Sequence, residues 1–96
     1  MTKALRYNKG KLKWSLVDYS CLEDLVRVME FGATKYGRNN WTKGLKQEEV
    51  IESLLRHTYA ILRGEMIDPE SGISHVGHIQ ANAMFLGHKK LGHKKL

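Results

Sequence analysis

Cysteine occurs once in this 96-residue chain, at Cys21, and no CxxC pair is present. That excludes an intrachain disulfide and a cysteine-based zinc or redox site, and it suits a reducing compartment. No run of about 18 apolar residues offers a membrane span, and the opening segment MTKALRYNKGKLKW lacks the apolar stretch of a secretory signal. A soluble, cytoplasmic protein is expected. Three signatures of other enzyme classes are also missing: a Walker A string, a GxGxxG loop and an HD dipeptide, despite five histidines.

Acids are missing from both ends. Lys3, Arg6, Lys9, Lys11 and Lys13 place five positive charges on residues 1–13, and Lys89, Lys90, Lys94 and Lys95 place four on residues 88–96. The other seven basic residues lie with all ten acids in residues 14–87, so the +6 of the whole chain conceals a middle of net −3. A basic total invites a nucleic-acid reading, but no helix carries a dense basic face for a groove. Binding through the basic ends ranks third among the functions considered. A chain of this length buries only about 60–65% of its unfolded surface, so a homo-oligomer is expected to complete its core.

Residues 1–19 show no sustained apolar period and read as a basic arm, with a short extended piece at Trp14 to Val17. From residue 20 the spacing turns helical. Leu22, Leu25, Val26, Met29, Ala33 and Tyr36 predict a helix over about 20–36, with Ser20 as N-cap and Gly37 as its stop. GRNNWTKG forms a loop. Val50, Ile51, Leu54, Leu55, Thr58, Ile61 and Leu62 predict a second helix over about 46–63, ended by Gly64. The segment GEMIDPESG holds the single proline, Pro69, between two glycines and should be a loop, with Ser71 or Ser74 capping a third helix over about 73–87. The tail LGHKKLGHKKL, a five-residue repeat, reads as a disordered extension from residue 88. The fold expected is all-α: a small three-helix bundle in residues 20–87, completed by oligomerisation.

The acids are spaced for chemistry. Glu48-Glu49-x-x-Glu52 is followed after twelve residues by Glu65-x-x-Asp68. Glu49 and Glu52 are i, i+3 neighbours on a helix, and carboxylates held that close are commonly relieved by a hard divalent cation, Mg²⁺ above all. The plainer alternative is that the first triplet is solvated and complements the helix dipole. On the third helix His75, His78 and Asn82 form one polar stripe, whose two histidines could bind a transition metal but make an incomplete site alone, and which could equally meet phosphate, act as acid and base, or bond to neighbouring helices. Arg56 is placed for phosphate or for an i, i+4 pair with Glu52, with His57 beside it. Lys35, Arg38, Asn39, Asn40 and Trp41 combine cations, amides and an indole that could stack on a purine or plug the bundle. Glu30, near the end of the first helix, calls for a partner: Arg27, a metal or a base.

EEVIE, twelve residues and EMID resemble the EExxE…ExxD motif of the MazG-like, all-α nucleoside triphosphate pyrophosphohydrolases. The strings EFGATKYG, NNW, LLRH, GEMIDPESG and the HxxH-plus-Asn stripe resemble, more specifically, the phage dATP/dGTP diphosphohydrolase N-terminal family, across about residues 9–87. The resemblance implies Mg²⁺-dependent cleavage of a nucleoside triphosphate to monophosphate and pyrophosphate, in host cytoplasm if phage-encoded. Carried over by motif, Glu49, Glu52, Glu65 and Asp68 would hold metal, with Glu48 in support. Glu52, Asp68 and His78 are then the expected catalytic residues. Lys35, Arg38, Asn40, Trp41, Arg56, His57, His75 and Asn82 would bind substrate. One departure stands out: in MazG-like enzymes the second acidic pair is helical, whereas Gly64 and Pro69 place it in a loop here. Either the ligand geometry is altered, or the stripe of His75, His78 and Asn82 supplies the second-helix ligands. The alternative function is a non-catalytic protein that binds or sequesters a nucleotide.

Overall fold

A computed structural model describes residues 3–88 and is built of three α-helices, with no strand among those residues. The all-α expectation holds. Residues 3–20 are exposed throughout. Where an extended piece was expected there is a 3-10 turn, Trp14–Leu16, because the Val17 amide closes on the Trp14 carbonyl and the Tyr19 hydroxyl donates to the same oxygen at 2.9 Å. The expected disordered tail lies, beyond His88, outside the described residues.

The first helix, α1 (Glu23–Tyr36), starts later than Ser20. Asp18 takes the capping role instead: it accepts from the Ser20 amide at 3.0 Å and hydroxyl at 2.6 Å, and winds Tyr19–Leu22 into a 3-10 turn ahead of the helix. At the far end Gly37 adopts φ 90°, a conformation that favours glycine, and its amide bonds the Ala33 carbonyl. The next helix, α2 (Gln47–Leu62), is followed two residues on by Gly64 at φ +89°. There the Glu65 amide reaches back to the Ala60 carbonyl at 2.9 Å, a turn that fixes where Glu65 leaves the helix. Ser74, one of the two expected caps, accepts from the Val76 amide and opens α3 (His75–Gly87).

α3 is the central element. It packs against both α1 and α2. Gly77 sits where α3 meets the start of α1: a Cβ there would lie 2.6 Å from the Asp24 carbonyl oxygen. Asn82, buried in α3, donates to Ser53 Oγ of α2 at 3.2 Å and to the His78 carbonyl at 2.9 Å. The buried apolar residues are Val28, Val50, Ala60 and Ala81, a small set that brings the helices close without filling the space between α1 and α2. No helix among the described residues is long and apolar enough to cross a membrane.

Candidate functional site

An open cavity of about 1070 Å³ lies between α1 and α2, lined also by the loops and by α3. Its chemistry is concentrated where α2, the 64–74 loop and the first turn of α3 converge. α2 supplies His57; the loop supplies Glu65, Asp68 and Ser71; α3 supplies His75 and His78.

The loop is held rigidly enough to aim its acids. Its two ends pair, Ile67 against Ser74, with the His75 amide bonding the Met66 carbonyl and the Asp68 amide bonding the Ile73 carbonyl, both at 2.9 Å. Gly72, at φ +73°, turns the chain so that its amide returns to the Asp68 carbonyl at 2.8 Å. Within that turn Asp68 Oδ2 accepts from the Ser71 amide at 3.0 Å and from the Ser71 hydroxyl at 2.8 Å. That hydroxyl has one proton, already given to Asp68, so at 2.7 Å from His78 Nε2 it accepts from the imidazole N–H. His78 Nε2 also stands 3.4 Å from Asp68 Oδ2.

His75 is buried, with only 3% of its surface exposed, and anchored at both nitrogens. Its Nε2 lies 2.8 Å from Glu65 Oε1, and its Nδ1 lies 2.7 Å from Nδ1 of His57. A carboxylate only accepts, so Nε2 carries a proton, and the contact between the two Nδ1 atoms requires one further proton held between the rings. The His57 ring also stacks on His78, centroids 4.3 Å apart and planes 5° from parallel. Burial lowers the pKa of His57 below the ordinary 6.5, helped by the facing His78 and His75 and opposed by Asp68. Burial lowers that of His78 as well, again against Asp68. For Asp68 burial pushes upward, but the two Ser71 hydrogen bonds and the neighbouring histidines outweigh it and keep the carboxyl below its ordinary 3.8. His57 and His78 are therefore neutral beside an ionised Asp68 carboxylate at neutral pH.

Most residues singled out in the sequence line this cavity. Lys35, Arg38, Asn40 and Trp41 do so from the end of α1 and the loop after it; Arg56 and His57 from α2; and Glu65, Asp68, His75 and His78 from the loop and α3. Of the roles considered for it, Trp41 takes the packing one, its ring lying 5.2 Å from that of Phe85 and 4.8 Å from that of His88, while it also borders the cavity. Lys35 reaches Glu70 at 3.2 Å, and Glu30 borders the cavity while Arg27 pairs with Asp24 at 2.7 Å and Glu23 at 3.7 Å instead. Glu49 and Glu52 lie elsewhere, with Glu48 and Arg56 around a separate shallow depression. Asn82 is outside the cavity lining, tying α3 to α2. The expected four-carboxylate set is thus divided between two places. The donors that do converge, within 4.8 Å of one another, are His57, Asp68 and His75. Two nitrogens and an oxygen do not make the all-oxygen cage that Mg²⁺ favours. Ser71 was not among the residues expected at the site; the Asp-x-x-Ser spacing in IDPESG was its only sequence signal.

The dATP/dGTP diphosphohydrolase N-terminal family model matches residues 1–96, the whole chain. The chain belongs to that family. A similar protein, the dATP/dGTP diphosphohydrolase of Salmonella phage PMBT28, is 34% identical over 82 residues, which are 85% of this family member and 28% of the phage protein. The chain therefore spans little more than a quarter of that relative's length. No solved structure matches.

Proposed function

We propose that the α1–α2 cavity binds a purine deoxynucleoside triphosphate, dATP or dGTP, and that the chain hydrolyses it to the monophosphate and pyrophosphate. One observation carries the reading: four cations, Lys35, Arg38, Arg56 and Arg63, line the same cavity as the His57–Asp68–His75 group. Phosphate oxygens call for the first, and an attacking water for a base of the second kind. The activity for which the phage relative is named and the family membership support the same substrate class.

In this reading the cations take the phosphates and the indole of Trp41 lies against the base. Mg²⁺ accompanying the triphosphate as its counter-ion would neutralise phosphate charge. The neutral imidazole of His78 is suited to take the proton of water as its oxygen bonds to phosphorus, while the bond to the pyrophosphate oxygen breaks. Asp68, kept ionised by Ser71, orients His78. A second copy of the chain covers the apolar face of α2, and the protein works in the cytoplasm of an infected cell.

A second reading has its own support. The chain corresponds to 28% of its phage relative, so the cavity can serve as a nucleotide-binding module whose chemistry is completed elsewhere. Incubating the full chain with each dNTP and Mg²⁺ and separating the products distinguishes the two. Deoxynucleoside monophosphate plus pyrophosphate, fastest from dATP or dGTP, is expected. Nucleotide bound and recovered intact favours the module; release of orthophosphate alone, or neither binding nor turnover at micromolar protein, overturns both.

A further inference from the structure

We infer that His57, His75 and Asp68 form a resident binding site for one first-row transition-metal dication, of the zinc or cobalt(II) kind, distinct from any magnesium that accompanies a nucleotide. The ligand atoms of these residues already lie within 4.8 Å of one another, on three separate pieces of chain. Two imidazole nitrogens and one carboxylate oxygen, with positions left open, are a donor set that borderline first-row metals accept.

The surroundings match a metal site more closely than an ordinary hydrogen-bond network. In a metal-bound histidine the nitrogen remote from the ion typically donates to a carboxylate, which fixes the ring and raises its basicity. His75 has that arrangement: Nε2 against Glu65 Oε1 at 2.8 Å, Nδ1 turned to the cluster. Asp68 is likewise held by one oxygen, Oδ2, on which Ser71 donates twice. Its Oδ1 has no hydrogen bond among the described residues. The two Nδ1 atoms face each other at 2.7 Å, which only a shared proton can hold. Two nitrogens on one tetrahedral zinc stand about 3.3 Å apart, given Zn–N bonds of about 2.05 Å. Replacing that proton by the ion requires the rings to part by roughly half an ångström, within reach of ordinary side-chain rotation.

The test uses the full chain, freed of metal with EDTA and dialysed, with no nucleotide present. The outcome is therefore separate from that of the hydrolase assay. His88 and His93, in the repeated GHK strings, could bind metal by themselves, so a His88→Ala/His93→Ala background is run beside the wild type. Titration with Zn²⁺ against a chromophoric chelator, and with Co²⁺ followed by visible absorption, is expected to give one ion per chain in both proteins. His57→Ala and His75→Ala should each weaken binding at least 100-fold, and Glu65→Gln about 10–100-fold. In the unmutated chain Zn²⁺ should shift the NMR ring resonances of His57 and His75, a readout that stands if a variant fails to fold. No saturable binding, binding lost with His88 and His93, or ring shifts confined to those tail histidines would overturn the assignment.

Discussion

At the scale of single residues, the histidine group has a direct consequence for acid stability. His57 and His78 are stacked and partly buried, and both have pKa values below 6.5 in the folded chain. Asp68 faces both and favours their charged forms, but His75 and burial outweigh it, and Arg56 adds to the opposition at His57. In the unfolded chain each titrates near 6.5, so as pH falls below that value the unfolded state takes up protons first. Their contribution is complete above about pH 6.5 and is lost as pH drops through the lower folded values. Asp68 contributes in the same direction further down: present above its ordinary 3.8, it fades as pH falls through its lowered folded pKa. The melting temperature of the metal-free chain, measured in chelator, should therefore be level above pH 7 and decline steadily from about pH 6.5 to pH 5. His78→Gln should flatten that decline. A wild-type melting temperature unchanged over the interval would contradict the burial assigned to these rings.

The unit that matters among the elements is α3, and Gly77 controls how it seats. A β-carbon at Gly77 would stand 2.6 Å from the Asp24 carbonyl oxygen and 2.7 Å from its carbon, both backbone atoms that cannot rotate away. Gly77→Ala is therefore expected to lower stability by about 1–3 kcal/mol by forcing α1 and α3 apart. Gly32, inside α1 with nothing within 4 Å of where a methyl group would sit, is the counterpart: Gly32→Ala should raise stability by roughly 0.5–1 kcal/mol through helix propensity alone. Urea denaturation of the pair checks both signs, and equal effects would remove the close approach as an explanation. The helices themselves were legible, because Leu25, Met29 and Ala33, or Val50, Leu54 and Ile61, repeat at helical spacing. The start of α1 was not, since Ser20 and Asp18 compete to cap it and only the folded chain decides. The loop reading of GEMIDPESG followed from Gly64, Pro69 and Gly72. What the spacing of the acids could not supply was the rotation of α2 about its axis. His57 follows Glu52 by five residues, about 140° around a helix of 3.6 residues per turn. Turning His57 into the cavity thus turns Glu52 away, while Arg56, only about 40° from Glu52, borders both the cavity and the depression.

For the molecule as a whole, the decisive fact is how little is covered. Only Val28, Val50, Ala60 and Ala81 are buried apolar residues among those described, and none is large. On α2, Ile51, Leu55 and Leu62 are 37%, 45% and 75% exposed. Their spacing of four and eleven residues puts them within about 40° of one another around the helix, a single apolar stripe. Each such side chain contributes about 1.5–3 kcal/mol when fully buried, so pairing two copies through this stripe supplies stabilisation that the small core lacks. Sedimentation of the full chain at tens of micromolar should accordingly show a species of at least twice the 11.0 kDa of one chain. Leu55→Glu combined with Leu62→Glu should shift it to the single-chain mass and lower the melting temperature with dilution-independent unfolding. The two substitutions leave His57, which is two and five residues from them, on its own face of the helix. If the wild type already sediments at 11.0 kDa, a second copy does not cover the stripe. The stability of the cavity would then have to come from the three helices alone, and neither substitution would alter the sedimenting mass.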